Sequence, residues 1–297
     1  MITGDRKDSE MSRSTEETPW TTEEVGHRYD RLSRVPELLA FGESLHFGYW
    51  EDPEDEGGLS DAMGRLTDLV IGGLDAGPGS RVLDLGCGVG GPAVKLASAT
   101  GAEVVGITVS REQITKATGL ARAEGLTGQV VFQYADAMDL PFEEGEFDAV
   151  FGLESIMHMD RPAVLAQIAK VLRPGGRLVL TDEVLRAPIP ADRAEDDETV
   201  AGYLRANMIR SLATPEAYPE LLTGAGLDPE AITDITDRTV RPTFRTLWRQ
   251  ANDRLDTILN DLGSPPAAVA EELRGWQRLA EIPEFGYLLI SAHRPGR

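Results

Sequence analysis

Short apolar runs alternate with helical patterns through the middle of the chain. The runs are Val82–Leu85, Glu103–Ile107, Val130–Tyr134, Phe147–Phe151 and Leu178–Leu180. Helical patterns lie between them, near Pro92–Ala99, Arg111–Glu124 and Ala163–Leu172. Near-continuous apolar strands that alternate with helices predict a parallel sheet covered by helices on both faces. Such a sheet binds its ligands at the carboxyl ends of its strands.

The segment before this region predicts further helices. Thr21 and Glu24 form a capping-box signature, which predicts a helix that ends near Arg34. An aromatic loop, an acidic stretch and a second helix follow, at Leu45–Trp50, Glu51–Gly58 and Leu59–Leu74. Residues 1–20 are polar and show no periodicity, and we expect a disordered tail there.

The segment after Val184 becomes Pro-rich and acidic over Ala187–Glu198, a stretch without apolar anchors that we expect to be mobile. Beyond it, we expect helices near Val200–Ser211, Pro215–Gly224, Thr243–Leu262 and Ala267–Ala280, and strands near Ile232–Val240 and Tyr287–Ser291. The chain therefore divides into an N-terminal helical lid segment (21–80), a core (81–185) and a C-terminal part (186–297). The last part holds helical lid insertions and the last two core strands.

Charge and composition exclude several classes of partner. The net charge is −21, and no cluster of Lys and Arg offers a surface for nucleic acid or for an anionic membrane. No apolar run approaches the roughly 20 residues of a membrane-spanning helix. The single cysteine, Cys87, allows no internal disulfide, and the first residues lack the apolar region of a signal peptide. We expect a cytoplasmic protein.

A glycine-rich loop, VLDLGCGVGGP over residues 82–92, follows the first core strand. Gly86, Gly88 and Gly91 have the spacing of a dinucleotide fingerprint, which alone is weak support for NAD(P). A nicotinamide enzyme would carry an acid at the end of the second strand, where this chain has Gly106–Thr108. Asp84 would repel a pyrophosphate but suits the ammonium group of an amino-acid-like ligand. A structural acid that caps the loop is the alternative.

This loop resembles motif I of the class I S-adenosyl-L-methionine (SAM)-dependent methyltransferases. Other strings keep step with that family, namely LHFGYW (45–50), GITVSREQ (106–113), YADAMDLPF (134–142), LRPGG (172–176) and AEIPEFGYLLISAHRP (280–295). From residue 22 to 295 the chain is similar to the rebeccamycin sugar O-methyltransferase and tocopherol methyltransferase-like group. The resemblance implies an α/β fold: a doubly wound, Rossmann-like, seven-stranded sheet with the last strand antiparallel and a helical lid.

The resemblance also implies which residues hold SAM and its product, S-adenosyl-L-homocysteine (SAH). They are Tyr29, Tyr49, Asp84, Gly86, Gly88, Thr108, Gln113, Asp136, Ala137 and Leu153. Some of them have structural alternatives. Gln113 can form a capping box with Ser110, Asp136 can form a turn, and the two tyrosines can pack at an interface.

Three residues at strand ends are candidates for catalysis. Glu154 and His158 follow the fourth strand, and Asp182 ends the fifth. The resembled group has His-His where this chain has Met157 and His158. A hydroxyl acceptor would need a base, for which His158, with Asp182, is the candidate. A carbon acceptor would develop a cation, for which Glu154 is the better candidate. A packed core histidine and a solvated strand-end acid are the structural alternatives.

The expected function is methylation of a small, hydrophobic natural-product acceptor, with oxygen favoured as the methylated atom. C-methylation of an indole or isoprenoid carbon and N-methylation remain open. Two alternatives belong to other classes, an NAD(P)-dependent oxidoreductase and a non-methylating cyclase that holds SAM. We expect no metal, since the sequence has no Cys/His ligand cluster, and a homodimer is compatible with these features.

Overall fold

Seven strands form one mixed sheet in the computed structural model, which describes residues 13–14, 20–34, 46–52, 57–253 and 266–296. The strands are β1 (Arg81–Leu85), β2 (Glu103–Thr108), β3 (Val130–Tyr134), β4 (Phe147–Leu153), β5 (Leu172–Leu185), β6 (Asp228–Asp234) and β7 (Phe285–His293). Their order across the sheet is β3-β2-β1-β4-β5-β7-β6. Strand β7 runs antiparallel to both neighbours. The predicted seven-stranded sheet with a reversed last strand is therefore confirmed.

Helices cover both faces of this sheet. Within the described residues they are α1 (Thr22–Leu32), α2 (Leu59–Gly73), α3 (Gly91–Thr100), α4 (Arg111–Ala123), α5 (Arg161–Val171), α6 (Ala194–Asn207), α7 (Tyr218–Gly224), α8 (Val240–Asp253) and α9 (Pro266–Glu281). Successive strand residues enter opposite apolar clusters: Val82 and Val104 pack on one face, and Leu83 and Val105 on the other. The near-continuous apolar runs in the sequence follow from this double burial.

The strand order reverses at β1, which lies between β2 and β4. The chain runs outward from β1 to β3, then returns to place β4 on the other side of β1. A crevice forms at the carboxyl ends of the strands on either side of such a switch point. The glycine loop after β1 and the residues after β4 therefore meet at one edge of the sheet.

The C-terminal part differs from the prediction in several places, and the helix predicted to reach Ser211 ends at Asn207. The stretch Ala187–Glu198 is helical from Ala194 onward, and Ile189 in it is buried, so the expectation of an unanchored loop is wrong there. Acidic residues fill the first turn of α6, where the helix dipole favours negative charge. The last strand before α8 ends at Asp234 rather than near Val240, because Asp234 accepts the backbone N–H of Thr236 and starts a 3₁₀ turn.

Several sequence-based expectations fall partly outside the described residues. Of the predicted tail, Arg13–Ser14 pairs antiparallel with Ser211–Leu212, and residues 1–12 and 15–19 lie outside the description. Residues 53–56 of the acidic stretch and 254–262 of a predicted helix also lie outside it. In the described ranges, no helix combines the length and the apolar character needed to cross a membrane.

Candidate active site

A cavity of about 1020 Å³ opens at the carboxyl ends of β1, β2 and β4, with α1 on its outer side. Eleven of the thirteen predicted site residues line it: Tyr29, Asp84, Gly86, Gly88, Thr108, Gln113, Asp136, Ala137, Leu153, Glu154 and His158. Tyr49 and Asp182 do not. One edge of the sheet therefore brings together residues that are up to 129 positions apart along the chain.

The glycine loop forms the inner wall of the cavity. Gly86 has φ +84°, and a Cβ on it would lie 2.4 Å from the Cβ of Ser155, so only glycine fits there. Gly88 has φ +52°, and open space surrounds the position of its missing Cβ, which lets a ligand approach the backbone. Below them, Asp84 is 2% exposed and its Oδ2 has no hydrogen-bond partner.

The unpaired oxygen of Asp84 shows what kind of ligand group the inner wall of the cavity would accept. Burial raises the pKa of Asp84 well above its ordinary range, because its charged form has no partner. An ammonium group, directly or through water, would supply that partner and restore the charged form. The amino-acid part of SAM carries such a group, and the loop that surrounds Asp84 leaves room for it. The residues present therefore fit the cofactor.

The end of the cavity opposite the glycine loop is lined by polar side chains that form hydrogen bonds within the protein. The Thr108 hydroxyl donates to Gln113 Oε1 over 2.7 Å, while the backbone N–H of Gln113 donates to Ser110 Oγ over 3.1 Å. Ser110 thus caps α4 by accepting the Gln113 backbone N–H, while the Gln113 side chain lines the cavity. Asp136 accepts the N–H of Met138 with Oδ1, as a turn-forming aspartate does, and it accepts the Thr22 hydroxyl with Oδ2 over 2.7 Å.

Helix α1 is held against this end by contacts that the sequence did not reveal. Asp30 accepts hydrogen bonds from Ser110 Oγ (2.6 Å) and from the backbone N–H of Glu112 (3.0 Å), so it adds a second cap to α4. A Cβ on Gly26 would lie 2.3 Å from Val109 O, which makes glycine necessary for this close approach. No local pattern marks Asp30 or Gly26, because both act on a helix about 80 residues away.

His158 ends the 3₁₀ turn Ile156–His158 after β4 and faces the cavity. Its Nδ1 lies 3.0 Å from Met208 O, which can only accept, so Nδ1 carries the proton. Its Nε2 lies 2.8 Å from the Tyr29 hydroxyl and accepts a hydrogen bond from it. Burial lowers the pKa of His158 to about 4 and raises the pKa of Tyr29 to about 12. At neutral pH the imidazole is therefore an uncharged hydrogen-bond acceptor toward the cavity.

Glu154 sits beside His158 in a left-handed backbone conformation, with φ +50°. Its Oε1 accepts the backbone N–H of Phe47 and the hydroxyl of Tyr287, each over 2.6 Å. Burial raises the pKa of Glu154 to about 7. The side chain therefore joins the aromatic loop to β7, and one of its oxygens is committed to that role.

Asp182 and Tyr49 lie away from the cavity, contrary to the sequence-based expectation. Asp182 is fully buried on the far side of β5, where it pairs with Arg161 Nη2 over 2.7 Å and accepts the Tyr218 hydroxyl. Residues two apart on a strand share a face, so Asp182 takes the face of Leu180 and Val184, which pack in one apolar cluster with α5 and α7. Tyr49 packs on the apolar core with the guanidinium of Arg238 5.8 Å from its ring centre. The packing alternative holds for it.

His46 is a cavity residue that sequence reasoning missed. It lines the cavity, and its ring nitrogens contact Phe47 O (2.7 Å) and Thr67 Oγ1 (3.2 Å). Burial lowers the pKa of His46 to about 4. The string LHFGYW contains His46, but the sequence analysis selected only its tyrosine, Tyr49, as a site residue. Among the described residues, no group of three or more His, Cys, Asp or Glu side chains is placed to hold a metal ion.

This arrangement defines a methyltransferase site of the Rossmann-like class, and comparison with known proteins gives the family. A family model described as a methyltransferase domain matches residues 82–176. The chain is 39% identical over 276 residues to methyltransferase GfsG of Streptomyces halstedii. The alignment covers 92% of this chain and 94% of that protein. It is 38% identical over 278 residues to the 27-O-demethylrifamycin SV methyltransferase of Amycolatopsis mediterranei, with coverage of 93% and 98%.

Among solved structures, the chain is similar to the [4+2]-Cyclase SpnF, with a TM-score of 0.78, 30% identity, and coverage of 94% of this chain and 98% of that one. The chain belongs to the SAM-dependent methyltransferases. SAM is its cofactor. This finding confirms the resemblance drawn from motif I and overturns the NAD(P)-dependent oxidoreductase alternative.

Proposed function

We propose that this enzyme transfers the methyl group of SAM to a hydroxyl oxygen of a small, hydrophobic natural product. One observation carries the proposal: the Nε2 of His158 already accepts a hydrogen bond from a hydroxyl, that of Tyr29, at 2.8 Å. An acceptor hydroxyl that takes the place of Tyr29 would have its proton aimed at a neutral imidazole. The relative from Amycolatopsis mediterranei, whose name describes an O-methyltransferase of rifamycin chemistry, supports an oxygen acceptor.

Different residues of the cavity would bind the cofactor and promote the transfer. SAM supplies a methyl group on a positively charged sulfur, which needs no further activation. Asp84 and the glycine loop would hold the amino-acid part, while Gln113 and Asp136 would hold the ribose and adenine. Fixed orientation of the reacting atoms is worth roughly 7–11 kcal/mol in favourable cases. A dry site would favour a step in which the charge on sulfur disappears.

His158 would remove the acceptor proton as the methyl group arrives. Donation of Nδ1–H to Met208 O fixes the tautomer, so the lone pair on Nε2 points into the cavity. Glu154 is less suited to this role, because Phe47 and Tyr287 occupy one of its oxygens. A positioned base typically contributes about 10²–10⁴-fold to the rate.

The proposal is tested with SAM that carries an isotope-labelled methyl group. The enzyme is incubated with an untargeted natural-product extract, and mass spectrometry identifies compounds that gain the label. We expect a labelled methyl ether. A labelled methyl group bonded to carbon or nitrogen, shown by nuclear magnetic resonance of the product, would contradict transfer to oxygen.

The 30% identical cyclase structure supports a second candidate, a reaction in which SAM stays intact and the cavity promotes a cyclisation. The same incubation distinguishes it. A cyclase would convert a compound into an isomer of equal mass without transfer of the label, and would form no SAH. A cytoplasmic location and a homodimer stay predictions, which fractionation and light scattering would test.

A further inference from the structure

Two acids lie buried where β4 and β5 run side by side toward the site. Glu154 follows β4, and Glu183 lies on β5 opposite Tyr287 of β7. Tyr287 donates its hydroxyl to Glu154, and Tyr203 of α6 donates its hydroxyl to Glu183 Oε1 over 2.7 Å. Thr181, which shares the face of Glu183 on β5, accepts the backbone N–H of Glu154 over 3.2 Å. The two acids therefore belong to one polar cluster.

The surroundings of Glu183 do not satisfy its side chain. Glu183 is fully buried, and its Oε2 has no hydrogen-bond partner. Within the part of the chain that the structure describes, no Lys or Arg forms an ion pair with Glu183 or with Glu154. The charge of Arg161 acts on Glu183, but this guanidinium is paired with Asp182 on the opposite face of β5. Because buried polar groups of folded proteins are normally hydrogen-bonded, the free oxygen indicates a place for a ligand group.

Aromatic rings enclose the same cluster. The ring of Phe47 stacks on Tyr287, with 5.2 Å between the ring centres. The ring of Tyr203 meets Phe244 and Phe285 edge-on, at 5.9 and 5.5 Å. Aromatic rings attract cations, and proteins bind ammonium ligands in cages of such rings. Two acids without a basic partner, set among aromatic rings, therefore favour a cationic group over a neutral one.

This cluster adjoins the position of the acceptor hydroxyl. Tyr29 fills that position in the ligand-free enzyme through its hydrogen bond to His158. Burial is the main cause of the raised pKa of Tyr29, and the charges of Glu154 and Glu183 add to it, so both acids lie near its hydroxyl. Tyr203 of α6 covers Glu183 as Tyr29 of α1 covers His158. An acceptor that replaces Tyr29 would therefore bring its other groups beside the acids.

We propose that Glu183 binds a protonated amine of the acceptor, and that the enzyme methylates a hydroxyl of an amine-bearing natural product. The inference rests on the proposed function, because it assigns a second group of the same acceptor. Glu154 would add its negative charge from the side. A protonated amine has no free electron pair and cannot take the methyl group. Its ion pair with Glu183 would keep it protonated and leave the hydroxyl at His158 as the nucleophile.

Two small probes test this amine subsite before the acceptor is known. Benzylamine, which is protonated at pH 7, and benzyl alcohol have similar shapes and differ in charge. Each is titrated into enzyme saturated with SAH, so that the cofactor already occupies the ammonium site at Asp84. We expect benzylamine to bind about 10–100-fold more tightly, as a charged hydrogen bond to a buried carboxylate predicts. Equal affinities, or no binding of either probe, would overturn the proposal without the need for a variant.

A pair of variants assigns the preference to one acid. Glu183→Gln keeps the size of the side chain and an oxygen for Tyr203, and it should lose the preference for benzylamine. Asp182→Asn removes the neighbouring buried acid on the opposite face of β5, and it should keep the preference. The SAH affinity of both variants should equal that of the wild type, which shows that the site is folded. A preference that persists in Glu183→Gln, or that disappears in Asp182→Asn as well, would contradict the assignment to Glu183.

Labelled methyl transfer separates this inference from the proposed function. The natural-product extract is divided on a cation-exchange resin at pH 7 into a retained, basic fraction and an unretained fraction. We expect labelled methyl ethers from the retained fraction. Labelled ethers from the unretained fraction alone would overturn the amine subsite and leave O-methylation intact. A label bonded to carbon or nitrogen would overturn the proposed function itself.

Discussion

Replacement of Asp182 distinguishes a structural role of this residue from a catalytic one. Asp182→Asn removes the buried negative charge and leaves the Arg161 guanidinium, which is 5% exposed, without a counter-charge. The two groups lie 2.7 Å apart, and Arg161 also donates to Ser211 O over 2.9 Å. Loss of one partner of a buried ion pair costs about 3–5 kcal/mol. For a chain of 297 residues, that corresponds to a fall in melting temperature of roughly 5–8 °C.

The assay compares melting temperature with turnover at a temperature well below unfolding. Asp182→Asn should melt lower yet keep turnover within about threefold of the wild type, because Asp182 does not line the cavity. The triple variant Arg161→Met, Asp182→Leu and Tyr218→Phe replaces the network by apolar groups of similar volume. It should recover most of the stability, since such exchanges of buried ion pairs are often neutral or stabilising.

The opposite pattern would refute this reasoning. If Asp182→Asn kept the melting temperature within about 2 °C and lost turnover by about 100-fold, Asp182 would act in catalysis. The sequence-based expectation would then be right.

Three further predictions concern the cofactor and pH. Asp84→Asn should weaken SAH binding by about 10–100-fold in calorimetry, because the ammonium group loses a charged partner; unchanged affinity would contradict the loop assignment. SAH affinity should be the same before and after treatment with EDTA, and a loss would reveal a metal. Because burial lowers the pKa of His158 to about 4, the rate should not fall with His158 protonation between pH 8 and pH 6. The rate should fall only as the pH approaches 4. A fall in rate centred near pH 6.5 would show that the base is exposed to solvent.

The sheet and the cofactor end of the site were predictable because local patterns specify them. Near-continuous apolar runs mark strands buried on both faces, and the glycines after β1 mark a loop that other residues cannot form. Asp84 and Gly86 are fixed to each other by two positions of chain, so their geometry follows from the strand and the turn. The capping signature of Thr21 and Glu24 likewise acts within one helical turn, and the structure contains it.

The sequence-based predictions that were wrong concern features that depend on contacts between residues distant in sequence. Asp182 lies near the carboxyl end of β5, but its pairing with Arg161 and Tyr218 depends on how α5 and α7 pack. The acidic start of α6 resembled a loop because its stability comes partly from the burial of Ile189 and from Arg193, which pairs with Glu284 over 2.8 Å. No pattern within a short window carries such information.

The central claim, that His158 is the base for a hydroxyl acceptor, is tested most directly by the transfer rate of labelled methyl in His158→Ala and Glu154→Gln. The account predicts a loss of about 10²-fold or more in His158→Ala, with SAH affinity nearly unchanged, and a much smaller effect in Glu154→Gln. A large loss confined to Glu154→Gln, or near-wild-type rates in both variants, would contradict it.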